Sequence, residues 1–151
     1  LELFEGYNVL SSRELTARAE VCLEQYCTQV QIEARTLLQM LSTQVLPAAL
    51  RYQLELSQVV SAAREASIEC SRTSGRLHDV AELTNALQDA IETVGSAEQY
   101  EVSSGTLHAD QIKDTLLPSM LLARTISDQL ETLVAEDLWP LPSYTDMLFI
   151  R

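Results

Sequence analysis

The stretch SSRELTARAEVCLEQYCTQVQIEARTLLQMLSTQVLPAALRYQLELSQVVSAAREASIECSRTS, residues 11–74, decides the fold, and it contains no glycine. From Leu15 a stripe of mostly apolar or small residues recurs every three or four positions. It runs through Ala19, Cys22, Tyr26, Val30, Ala34, Leu37, Leu41, Val45, Ala48, Tyr52, Leu56, Val59, Ala63 and Ala66 to Cys70. Steps of three and four stack side chains on one helical face. Their mean, roughly 3.67 residues, exceeds the heptad value and asks for a nearly straight helix rather than a left-handed supercoil. Unbroken, such a helix would span about 95 Å at about 1.5 Å per residue. A chain of 151 residues cannot enclose that length in a compact domain, so the helix bends or projects toward something beyond the chain.

The composition agrees with packed helices. Gly and Pro number four each, and aromatic residues make up 5%. Leu, Ala, Glu, Gln and Ser dominate, which favours helix and gives a sheet little to build on. The expected class is all-α: an elongated antiparallel bundle of about four helices, the first two readable as one long kinked helix, followed by an extended Pro-rich tail.

The formal net charge is −12, and it is uneven. Residues 1–76 hold seven basic and nine acidic groups, whereas residues 77–151 hold three and thirteen. Phosphate backbones call for clustered Lys and Arg, so the balance argues against nucleic acid and against anionic membrane surfaces as partners. A solvated acidic surface accounts for the charge, with a basic protein partner as the other reading. The three cysteines, Cys22, Cys27 and Cys70, have no zinc-like spacing. Five residues of helix set Cys22 and Cys27 on different faces, against an intrahelical disulfide. Buried thiols in a reducing cytoplasm is the expectation. There is no apolar run of membrane-spanning length and no signal peptide. The abrupt opening at Leu1 reads as that of a piece of a longer protein.

Along the chain, residues 1–10 read as a connector from an upstream domain, residues 11–137 as the helical bundle, and residues 138–151 as a tail packing on it. Ser11 and Glu14 form a capping-box pattern. Pro47 removes one backbone hydrogen bond and crowds the carbonyl four residues earlier. No turn-forming residue flanks it, so a kink with the helix continuing is expected. A second helix over 48–73 is expected to end at Ser74-Gly75, with Gly75 in the left-handed cap conformation. A third helix, 77–94, is closed by Gly95, and a fourth runs from Ala109 to Glu136 with Pro118 repeating the problem of Pro47. In the tail, Trp139, Pro140, Pro142 and Phe149 fall in a dense apolar segment. It is expected to open extended and to anchor across the helices through Trp139, with Ser143 and Asp146 suggesting a final capped turn.

The residues themselves mark no active site. His78 and His108 lack a Glu three positions before them, so the di-metal carboxylate bundle pattern is absent. His78 suits a surface or capping role. The pairs Glu65/Glu69 and Asp110/Asp114 are spaced for one helix face, where solvation is the ordinary role. There is no phosphate-cradling loop or nucleophile elbow. No catalytic, cofactor-binding or metal-binding residue is assigned.

Several blocks together carry a resemblance. They are Leu10-Ser-Ser-Arg-Glu-Leu-Thr-Ala-Arg-Ala-Glu with Leu23-Glu-Gln-Tyr26, then Ile32-Glu-Ala-Arg-Thr-Leu, Met40 and Leu46-Pro-Ala-Ala-Leu-Arg-Tyr-Gln53. Leu117-Pro-Ser-Met120, Ala123-Arg124, Asp128 and Leu130-Glu131 follow, and Leu138-Trp-Pro-Leu-Pro-Ser-Tyr-Thr-Asp-Met-Leu-Phe149 closes the series. In this order they resemble the C-terminal region of type III glutamine synthetases, the large bacterial form. Residues 78–115 match weakly, and the loop around Ser103-Ser104-Gly105 departs from the pattern.

The resemblance implies a parent enzyme that condenses glutamate and ammonia with ATP and a divalent metal, Mg or Mn, through a γ-glutamyl phosphate. It places the catalytic groups upstream, in a domain outside these residues. The implied partners are that catalytic domain and the sister subunits of a cytoplasmic homo-oligomer, and the chain alone is expected to be inactive. A free-standing helical scaffold or adaptor of the same ancestry is the alternative.

Overall fold

A computed structural model describes residues 7, 9–99, 105–142 and 147–148. Among them the elements are all helical: α1 (Ser12–Met40), a π-turn at Leu41–Val45, α2 (Leu46–Glu65), α3 (Ser71–Glu98), α4 (Gly105–Gln111), a second π-turn at Ile112–Leu116 and α5 (Leu117–Leu133). Most of the connector, Ser103-Ser104, the Ser143–Asp146 turn and Phe149 lie outside the described residues.

These elements make three rods. The backbone stays right-handed helical from Met40 through Leu41, Val45 and Leu46. Hence α1, the π-turn and α2 form one rod of about 80 Å at about 1.5 Å per residue. Its start is capped as the sequence proposed. The Glu14 amide donates to Ser11 Oγ at 3.4 Å, and Ser11 N–H donates back to Glu14 Oε2 at 2.8 Å.

The helix continues through both prolines, and each is met by the same device. The amide of Leu46 donates five residues back to the Leu41 carbonyl, and that of Leu117 to the Ile112 carbonyl. A proline ring would collide with the carbonyl four residues before it. One wider turn placed just ahead of Pro47 and Pro118 moves that carbonyl aside without breaking the rod.

The rod ends earlier than expected. Gly75 is not a cap: it lies inside α3, exposed, with nothing within 4 Å of where a Cβ would sit. The reversal falls at Ala66–Cys70, and the left-handed position is taken by Ser67, φ 58°. Ser67 N–H donates to the Arg64 carbonyl at 3.1 Å and Ile68 N–H to that of Ala63 at 2.9 Å. This is a Schellman ending built on serine. Gly95 likewise sits within α3, which runs on to Glu98.

The second rod, α3, returns antiparallel to the first. Glu98 at its end pairs with Arg35, and Arg76 near its start lies over Tyr52. The third rod, α4 through α5, reverses again and packs chiefly on α3, with α4 against α1. The core runs along the shared axis: Cys27, Val30, Ala34, Leu41, Val45 and Ala49 from the first rod meet Leu87, Ala90 and Val94 from the second. Ile112, Leu116, Ala123 and Leu130 complete it from the third. The buried hydroxyls of Thr84 and Ser119 donate to their own helix, to the Val80 and Leu116 carbonyls, so neither is left unpaired.

The stripe read from the sequence is correct from Val30 to Leu56 and shifts at both ends. Cys22, Tyr26 and Val59 are exposed, while the adjacent Cys27 and Val60 are buried. Beyond the last turn of α5 the chain does not open extended at once. The amides of Leu138 and Trp139 donate back to the Ala135 carbonyl at 3.0 and 3.1 Å. Leu138, Trp139 and Leu141 pack, half-buried, against the core.

Candidate interaction surfaces

The titratable groups singled out in the sequence do not converge. His78 is exposed on α3, with Nε2 3.3 Å from Glu82 Oε1 one turn on. His108 belongs to α4, in the third rod. Glu65 ends α2, and Glu69 lies in the following turn, so this pair does not share a helix face as expected. The helix stops at Glu65, and the left-handed Ser67 turns the chain between them. Asp110 and Asp114 are both exposed, on either side of the start of the second π-turn. The three cysteines are free: Cys22 exposed, Cys27 buried, Cys70 half-buried. Burial raises the Cys27 thiol above its ordinary pKa, which keeps it protonated and unreactive.

Among the described residues, no group of three or more His, Cys, Asp or Glu comes together to hold a metal ion. No described helix is long and apolar enough to cross a membrane.

What the molecule offers instead is surface relief. One open groove between the second and third rods is lined by Asp89, Glu92, Thr93, Ser96, Gln111 and Thr115. Another, between α2 and α3, is lined by Leu50, Leu54, Ser57, Leu77, His78 and Ala81. Leu50 and Leu54 stand one turn apart and are exposed, forming an apolar ridge of the kind helices use against one another. A shallow third patch on α1 is bounded by Val21, Glu24, Thr28 and Ile32. Each is open to solvent and lined by both polar and apolar side chains. The sequence stripe could not reveal them, because each is assembled from residues off the core face.

Among the described residues the fold is that of an all-helical domain. Residues 1–64 match the family model described as the glutamine synthetase C-terminal domain. Over the whole chain it is 29% identical to the "Type-3 glutamine synthetase" of Dictyostelium discoideum, covering 22% of that protein. It is 27% identical to the "Glutamine synthetase" of Bacteroides fragilis (strain YCH46), with 97% of this chain and 21% of the relative covered. For the "Glutamine synthetase" of Butyrivibrio fibrisolvens the identity is 26%, with 99% and 22% covered. The chain is thus similar to the C-terminal part of these glutamine synthetases, and it spans about a fifth of the length of the curated relatives it matches.

Proposed function

We propose that this chain is the non-catalytic helical domain of a glutamine synthetase, supporting the folding and oligomeric assembly of a cytoplasmic enzyme. In that reading a catalytic domain upstream of residue 1 joins glutamate and ammonia at the expense of ATP, with Mg or Mn. The helical chain supplies rigid contact surface to that domain and to sister subunits. The observation that carries the reading is the alignment of the entire chain with the C-terminal fifth of the Dictyostelium discoideum protein. The dispersed titratable groups support a contact role over a chemical one.

Three measurements test it. The open reading frame must encode a ligase domain before Leu1; a frame without one leaves the scaffold alternative. In the full-length protein, removal of residues 11–151 should lower the assembly state seen in sedimentation velocity. The 151-residue chain alone should form no γ-glutamyl product from glutamate, ATP and hydroxylamine. Unchanged assembly without the domain overturns the assembly role, and product from the isolated chain overturns the non-catalytic one.

A further inference from the structure

The first rod reaches past the bundle. From Ser12 to Tyr26 only Leu15 and Leu23 are even partly covered, and the first buried residue is Cys27. No described residue packs over this end, yet it is not a uniformly polar helix. Leu15, Ala19, Cys22 and Tyr26 fall within one face at about 100° per residue, and the bundle-facing Cys27, Val30, Ala34 and Leu41 lie about a quarter turn round the helix from it. This second face extends for about 17 Å, and no described residue packs over it. A helix of this length is marginal in water without a packed face, whatever its cap contributes.

We propose that the Leu15–Ala19–Cys22–Tyr26 face is the docking surface for the domain that precedes residue 1, an inference that rests on the function proposed above. The occupant follows from length and tether. The curated relatives are about five times as long as this chain, which aligns with their C-terminal part. Their remaining length therefore lies on the Ser12 side. Residues 1–10 can extend to at most about 35 Å, so an upstream domain stays within reach of the overhang. A tether that short holds it at millimolar effective concentration. A second copy of the chain fits less well, because each carries a net charge of −12 and like charges repel on approach. The overhang itself mixes Arg13 and Arg18 with Glu14, Glu20 and Glu24, so it meets the upstream domain chiefly through its apolar stripe.

Cys22 is exposed on this face and reports on its cover. Maleimide labelling of native protein, followed by peptide mass mapping, compares Cys22 in the full-length protein with Cys22 in the 151-residue chain. Labelling in the full-length protein should be slower by about tenfold or more, as for a site opened only by local fluctuation. Ala19→Arg in the full-length protein should restore the fast rate while leaving Cys27 protected. Equal rates in the two native proteins, with a ligase domain encoded upstream, overturn this proposal and leave the proposed function standing. Protection that appears in the 151-residue chain and grows with its concentration assigns the face to a second copy and overturns it too. A reading frame without the upstream domain removes both readings together.

Discussion

Arg76 and Leu133 tie the ends of two rods together: the Arg76 Nη2 donates to the Leu133 carbonyl oxygen at 2.8 Å. That carbonyl belongs to the last turn of α5, where no intrahelical donor reaches it. The same guanidinium lies 5.8 Å from the centroid of the Tyr52 ring on the first rod, so one exposed side chain touches all three. Arg76→Ala should cost about 1 kcal/mol, as a solvent-exposed charged hydrogen bond and cation–π contact are lost. Arg76→Lys should recover only part of this, since an ammonium cannot present the planar fork. Urea midpoints at constant m-value measure both.

Ser67 holds a left-handed backbone at φ 58° without the freedom of glycine. Ser67→Gly should therefore stabilise the chain, by about 1 kcal/mol. A thermal midpoint unchanged or lowered would contradict the Schellman account of this turn.

Gly75 makes the opposite case. It lies inside α3 with open space where a Cβ would sit. Gly75→Ala should raise stability by about 0.5–1 kcal/mol through helix propensity and reduced freedom of the unfolded chain. Had Gly75 capped a helix in the left-handed conformation, the same substitution would destabilise, so the sign in an equilibrium unfolding experiment distinguishes the two placements.

The capping box gives a pH signature. The Ser11 amide and hydroxyl both donate to Glu14 Oε2, at 2.8 and 2.7 Å. The backbone bond first, and the hydroxyl second, hold the Glu14 carboxyl below its ordinary value. A carboxyl so lowered supports the folded cap above its ordinary pKa, and that support is lost as the pH falls through the folded midpoint. An NMR titration should place the Glu14 midpoint below the ordinary glutamate value. Ser11→Ala, which removes the hydroxyl, should move it part of the way back.

Trp139 is the single tryptophan and packs half-buried against the core. Its native emission should be blue-shifted from that in strong denaturant. Trp139→Ala should cost about 2 kcal/mol, less than the 3–5 typical of a fully buried ring. Its Nε1 is buried without a hydrogen-bond partner among the described residues, so Trp139→Phe should cost less than Trp139→Ala, keeping most of the apolar contact without the unpaired donor.

The helical class, the rod through Pro47 and the continuation through Pro118 were legible because a turn needs residues that neither site has. The nature of the deformation was not. A π-turn leaves no compositional mark, and Leu-Ser-Thr-Gln-Val differs little from any other helical turn. The hairpin was misplaced for a related reason. Gly75 is the only glycine near the reversal, yet the energetic cost of a left-handed serine is small enough for packing to override it. Packing also decides between neighbours such as Val59 and Val60, or Cys22 and Cys27, whose types are equivalent until a partner rod is present. The grooves were not legible, since their lining residues lie mostly off the stripe, whereas the Leu15–Tyr26 face was part of it and only its exposure was not.

One mechanical consequence follows from the unbroken first rod. With Cys27 the first residue held by the bundle, the part from Ser12 to that point is a lever whose fulcrum lies at the bundle's edge. A tilt of about 10° about that fulcrum displaces the tip by roughly 4 Å, given about 1.5 Å of rise per residue. Because no loop interrupts the helix up to Glu65, force applied at the tip is delivered as torque to the bundle rather than absorbed in a joint.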